Sequence, residues 1–145
     1  MDNCIFCKDR DILFENDLAI AFYDGFPVSD GHTLIISKRH VETFFDLTND
    51  EQIAILDLLN KSKEYLEKEF KPDGFNIGLN CGTFAGQSVM HVHMHLIPRY
   101  KGDVSNPRGG VRGVVSIRSF TSTFIVLLLL HIIYITLQKY DFFRI

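Results

Sequence analysis

Three of the chain's six histidines fall within five residues, in the run His91-Val92-His93-Met94-His95. On a β-strand alternate side chains share a face, so the imidazoles line one side and Val92, Met94 and Leu96 the other. A solvated alternating strand is the bland alternative, but such a face would more cheaply use Thr, Lys or Glu. Two chemistries suit three imidazoles on one patch. A metallohydrolase could hold zinc on the triad and keep an open coordination position. Alternatively, a neutral imidazole, that of His93, attacks phosphorus and forms a phosphoramidate. The flank favours the second reading. Gly82-Thr83-Phe84-Ala85-Gly86-Gln87-Ser88 leads directly into the strand, and the backbone N–H groups of such a loop can approach phosphate oxygens. Gln87 and Ser88 add neutral donors for a bridging or leaving oxygen.

A second chemical signal stands at the N-terminus. Cys4-Ile5-Phe6-Cys7 has the spacing that grips one tetrahedral metal, although alone it is half a site. Free thiols and a redox pair are the competing readings. Three cysteines do not make a disulfide framework. The first residues also lack the basic start and apolar run of a secretory signal, so a reducing, cytoplasmic setting is expected.

The elements that must position these residues can be read from periodicity. Ile12 to Asp24 reads as a hairpin turning at Asn16-Asp17, and His32 to Ser37 as the next strand. Thr48-Asn49-Asp50-Glu51 has capping-box spacing and opens a long helix. Its stripe is Ile55, Leu59, Leu66 and Phe70, with Ser62 on the same face, and Lys71-Pro72-Asp73-Gly74 stops it. Phe75 to Leu79 and Val92 to Pro98 are further strands. Strands before and after one long helix predict an α+β fold, a sheet with the helix on one face.

Composition bounds the function. The 145 residues carry a net charge of −3 with no basic stripe, which excludes a broad groove for a nucleic-acid polymer. A small phosphorylated ligand fits. After about Val115 the character changes, and Ser119 to Gln138 has no formal charge. Residues 116–145 therefore form an atypical apolar tail with three readings: a membrane anchor holding the body in the cytosol, a packing or dimerisation element, or an out-of-frame extension.

The run from His91 to Ile97, preceded by Ala85-Gly86-Gln87-Ser88-Val89, resembles the signature of the histidine triad (HIT) superfamily of nucleotide hydrolases and transferases. Gly31-His32-Thr33-Leu34-Ile35-Ile36-Ser37-Lys38-Arg39-His40 resembles that family's second block. Pro98-Arg99-Tyr100, Gly102-Asp103 and Asn106-Pro107-Arg108-Gly109-Gly110 resemble its diadenosine-polyphosphate hydrolase-like branch.

The resemblance implies a HIT-like antiparallel sheet of about five strands in residues 1–115, and a homodimer. It implies that His93 attacks an α-phosphate, that His91 and His95 flank it, and that Gln87 and Ser88 donate to its oxygens. Asn80 matches a phosphate-side asparagine. Asp24 matches an acceptor of ribose hydroxyls, although an Asp before Gly-x-Pro is also an ordinary turn residue. It further implies that Cys4 and Cys7 share a structural zinc with His40 and His91. Hydrolysis of a dinucleoside polyphosphate is the leading expectation. A nucleoside phosphoramidase, a metallohydrolase and a non-catalytic nucleotide-binding protein are the alternatives.

Overall fold

A computed structural model describes residues 4–114. Five strands, β1 (Phe14–Glu15), β2 (Ala19–Tyr23), β3 (Thr33–Ser37), β4 (Gly74–Leu79) and β5 (His93–Arg99), accompany one helix, α1 (Asn49–Glu69). They form a single antiparallel sheet in the order β1-β2-β3-β5-β4. The α+β expectation holds. The unit ends at Val111, and a second begins at Arg112. Among the described residues no helix is long and apolar enough to cross a membrane. The readings of the apolar tail lie outside the described residues.

Local chemistry explains most boundaries. Asn16 makes the β1–β2 turn, its Oδ1 accepting the N–H groups of Leu18 and Ala19 at 3.1 and 2.8 Å. At the start of α1, Thr48 Oγ1 accepts the Glu51 N–H at 3.2 Å and Glu51 Oε2 accepts the Thr48 N–H at 2.8 Å. These bonds satisfy helix N–H groups that have no partner within the helix. Arg39 forks onto the same carboxylate at 2.8 and 2.7 Å, tying the segment after β3 to the helix start. The Arg39 guanidinium holds the Glu51 carboxyl down at about 2, against the penalty of its burial. At the other end Lys71 takes a left-handed φ of 49°, which turns the chain out of the helix.

The sheet has two apolar faces. On one, Ala19, Ala21, Ile35, Val92, Met94 and Leu96 pack with Ala54, Ile55, Leu58 and Leu66 of α1. Burying a side chain the size of Ile55 or Leu66 contributes about 1.5–3 kcal/mol. Leu59 is only partly buried, and Ala54 and Leu58 carry more of the contact than the sequence stripe gives them. On the opposite face Phe22, Leu34 and Ile36 are buried, with Phe6 and Ile20 against them. Register assigns the histidines to this second face, because His93 stands opposite Ile36 and His95 opposite Leu34. β5 begins at His93, so His91 and Val92 precede the ladder. The Val92 N–H bonds instead to the Val41 carbonyl at 2.8 Å.

Candidate active site

The three triad imidazoles make three different sets of contacts. His93 Nδ1 lies 2.7 Å from the His91 carbonyl oxygen. A carbonyl only accepts, so in the neutral ring Nδ1 carries the hydrogen and Nε2 keeps a lone pair. His93 lines a cavity of about 670 Å³ together with His95, Ser88, Asp24, Phe22 and Arg10, among others. Phe6 makes a T-shaped contact with the His93 ring, with centroids 5.1 Å apart.

His95 takes the opposite tautomer, through a residue to which sequence reasoning gave no role. The Val28 N–H donates to His32 Nδ1 at 3.3 Å, which leaves the hydrogen of neutral His32 on Nε2. That nitrogen is 3.0 Å from His95 Nδ1 and donates to it, so His95 carries its own hydrogen on Nε2. The cavity therefore meets a lone pair on His93 and an N–H on His95, with ring centroids 5.1 Å apart. Burial above all, then the neighbouring His93 and His32, pushes the His95 pKa down to about 4, against the pull of Asp24. Burial also lowers His32, again against Asp24. The signal for His32 lay in its phase, since His32, Leu34 and Ile36 share the face that His93 and His95 occupy.

Asp24 lines the cavity and also builds the turn. Its Oδ1 accepts the Phe26 N–H at 2.9 Å, and its Oδ2 lies 3.4 Å from His32 Nδ1. Ser88 is exposed and lines the cavity as well. Gln87 is placed differently from the expected phosphate donor. It is 2% exposed, and its Oε1 accepts the Gly82 N–H at 2.7 Å. Its Nε2 donates to the carbonyls of Glu42 and Val89 at 2.6 and 3.0 Å. Gly82 and Gly86, with φ of 89° and 88°, fold the loop back onto it, and a buried amide must satisfy both ends. Gln87 thus braces the loop that presents Ser88. Asn80 is half-buried beside Gly86 and does not line the cavity. The structure gathers His93, His95, Ser88 and Asp24 at one cavity, and leaves Gln87, Asn80 and His91 outside its lining.

His91 belongs to a second cluster. A single 3-10 turn, closed by Cys7 N–H to Cys4 O at 3.1 Å, brings both thiols to one side. Cys4 Sγ and Cys7 Sγ each lie 3.6 Å from His91 Nδ1, and Cys7 Sγ lies 3.4 Å from His40 Nδ1. Ordinary zinc–sulfur and zinc–nitrogen bonds give a tetrahedral edge of about 3.5 Å, which these spacings match. His91 Nε2 donates to the Ser37 carbonyl at 2.9 Å, leaving the Nδ1 lone pair toward the thiols, as a metal-ligating imidazole requires. Cys4, Cys7, His40 and His91 therefore fit a tetrahedral metal.

The triad does not form one ligand set among the described residues. Its three Nδ1 atoms face the thiols, a carbonyl and His32. This arrangement runs against a zinc shared by all three histidines. Asp24, His32 and His95 also stand close enough to hold a cation, but His32 Nε2 and His95 Nδ1, 3.0 Å apart, are spent on each other.

Comparison with known proteins agrees with this geometry. An uncharacterized HIT-like protein of Methanocaldococcus jannaschii is 42% identical over 106 residues, covering 69% of this chain and 81% of that protein. The Schizosaccharomyces pombe bis(5'-nucleosyl)-tetraphosphatase (asymmetrical) is 38% identical over 94 residues, 65% of this chain and 52% of that protein. The crystal structure of a HIT family protein from Bacillus anthracis matches with a TM-score of 0.68 at 33% identity, covering 95% and 96% of the two chains. A Zn-bound histidine triad family protein from Mycobacterium smegmatis matches with a TM-score of 0.64 at 28% identity, covering 70% of this chain and 78% of that one. The family model for the HIT domain matches residues 7–102, and with this sheet, this helix and this histidine strand the chain belongs to the HIT domain family.

Proposed function

We propose that the chain is a nucleotide hydrolase that acts at an α-phosphate through a nucleotidyl-histidine intermediate on His93, with a dinucleoside polyphosphate as substrate. The observation that carries this reading is the His93 Nδ1 bond to the His91 carbonyl at 2.7 Å, which leaves Nε2 as a lone pair at the cavity. Nε2 attacks the α-phosphorus, an N–P bond forms, and the bond to the leaving oxygen breaks. The Ser88 hydroxyl is the group at hand to donate to that oxygen, and the His95 N–H to a non-bridging one. Donors aimed at developing charge stabilise the transition state most. Water then attacks phosphorus, the P–N bond breaks, its electron pair returns to Nε2, and a nucleoside monophosphate leaves. Asp24 is the carboxylate available to the ribose hydroxyls.

The resemblance to a bis(5'-nucleosyl)-tetraphosphatase supports the substrate class. We further propose zinc at Cys4, Cys7, His40 and His91. A closed set of four protein ligands has no open position, so its chemistry is structural: it pins the N-terminus beside β5 and orients the His91 carbonyl that holds His93.

The test is acid quench during turnover of diadenosine tetraphosphate, with adenosine phosphoramidate and a nucleotide sugar run beside it. An acid-labile adduct on His93 is expected, with the largest kcat/KM on the tetraphosphate. His93→Ala should lower kcat by at least about 1000-fold. Full activity in His93→Ala would end the covalent mechanism, and a higher kcat/KM on the phosphoramidate would reassign the leaving group.

A further inference from the structure

Arg10 has no task in the phosphoryl chemistry, yet it is the one Lys or Arg among the residues lining the His93 cavity. Its guanidinium carbon lies 4.2 Å from the Phe22 ring centroid and 5.5 Å from that of Phe6. Nη2 donates to the carbonyls of Ile5 and Lys8 at 2.6 and 3.2 Å. Two aromatic rings and two carbonyls thus fix the side chain at the wall. Nε is buried and closed to a ligand, and among the described residues Nη1 makes no hydrogen bond and no carboxylate pairs with Arg10. An arginine held in place with its Nη1 N–H groups left over, against an apolar surface, is a recognition element awaiting acceptors.

The surroundings decide which acceptors. Phe6 packs against Arg10 and also against His93, whose ring centroid is 5.1 Å away. Ile5, Phe22 and Leu34 complete this apolar part of the lining. Such walls suit the flat, weakly polar faces of a nucleobase and oppose a polyphosphate chain, which must keep its charges solvated or paired. Guanine offers two acceptors, N7 and O6, along the edge where adenine offers one acceptor and an amino donor. Arginine donors match the first edge and are opposed by the amino group of the second.

Resting on the nucleotide reading of this cavity, we propose that Arg10 is a specificity-determining residue that reads the N7/O6 edge of the base and selects guanine and hypoxanthine over adenine. Hypoxanthine shares N7 and O6 but lacks the 2-amino group of guanine, so it separates reading of this edge from reading of the other.

Calorimetric titration of the full-length protein with GMP, IMP and AMP tests this without requiring turnover. GMP and IMP should bind on the order of tenfold more tightly than AMP. Arg10→Met should bring the three affinities together mainly by weakening GMP and IMP, and Arg10→Lys should keep part of the preference. Circular dichroism melts and zinc content check that each variant is folded. Equal affinities in the parent, a preference for AMP, a preference for GMP that IMP lacks, or a preference that survives Arg10→Met would overturn the role of Arg10. The same holds if neither variant folds and the parent shows no preference. Binding of none of the three would remove the nucleotide reading with it, whereas selective binding without a His93 adduct would leave Arg10 standing and end only the hydrolase mechanism.

Discussion

His93 and His95 are the same residue type two positions apart, and hydrogen bonds make them chemically opposite. His93 is held by a carbonyl and presents a lone pair; His95 is held by His32 and presents an N–H. The arrangement needs His95 neutral, and its pKa of about 4 keeps it so. The sign of the pH effect follows. A histidine depressed from its ordinary value of about 6.5 contributes stability that is whole above that pH. The contribution falls away as the unfolded chain takes up the proton that the folded one refuses, and the loss is complete below about pH 4. His93, His32 and Asp24 are the titratable groups facing His95, so His95→Asn isolates its part. Urea melts should show the parent losing stability from pH 6.5 to 4 more steeply than His95→Asn. Parallel curves would refute the assignment. The strand phase of the histidines was legible in sequence, but their tautomers were not, since Val28, His32 and the His91 carbonyl meet them only through the sheet register.

At the scale of elements, the loop between β4 and β5 sets how Ser88 meets the cavity. Gly86 sits at φ 88°, and a Cβ there would come 3.2 Å from Asn80 Nδ2. Left-handed backbone and a close approach both penalise a side chain, so Gly86→Ala should cost roughly 1–3 kcal/mol of stability. It should also lower kcat several-fold, because the same turn folds the loop onto Gln87. A thermal melt and steady-state kinetics on a common substrate check both parts, and an unchanged melt would show that the turn relaxes freely. Gln87 illustrates what element-level reading cannot reach. An amide beside a phosphate loop looks like a donor to substrate, and only the folded turn shows its hydrogen bonds spent on Gly82, Glu42 and Val89.

At the scale of the molecule, Cys4 and Cys7 of the N-terminal turn stand against His91, just ahead of β5 and 87 and 84 residues on in the chain, and the zinc we propose there with His40 would join the two. A metal there binds the folded state and not the dispersed ligands of the unfolded one, so it stabilises by mass action. Stripping it with a chelator should lower Tm on the order of 10 °C, with activity falling only as the fold loosens. Immediate loss of turnover in a protein whose melt is unchanged would favour metal chemistry at the substrate instead. Metal analysis of the purified chain gives the independent count, with about one zinc per chain expected for a four-ligand site.

The sequence by itself determined what local physics controls. Alternation marked the face of the histidines, Thr48 and Glu51 marked the helix start, and the glycines marked a loop beside the strand. Spacing marked Cys4 and Cys7 as half a metal site, and it was the family resemblance that added His40 and His91, whose donor atoms the fold brings within 4.8 Å of the thiols and of one another. Tertiary structure alone decided which nitrogen of each imidazole faces the cavity, that His32 stands behind His95, that Gln87 turns inward, and that Arg10 lies against Phe22. The reason is physical. Periodicity reports which way a side chain points from its own element, whereas tautomers, buried hydrogen bonds and cation–aromatic contacts depend on partners from other strands and loops, fixed only when the chain closes on itself.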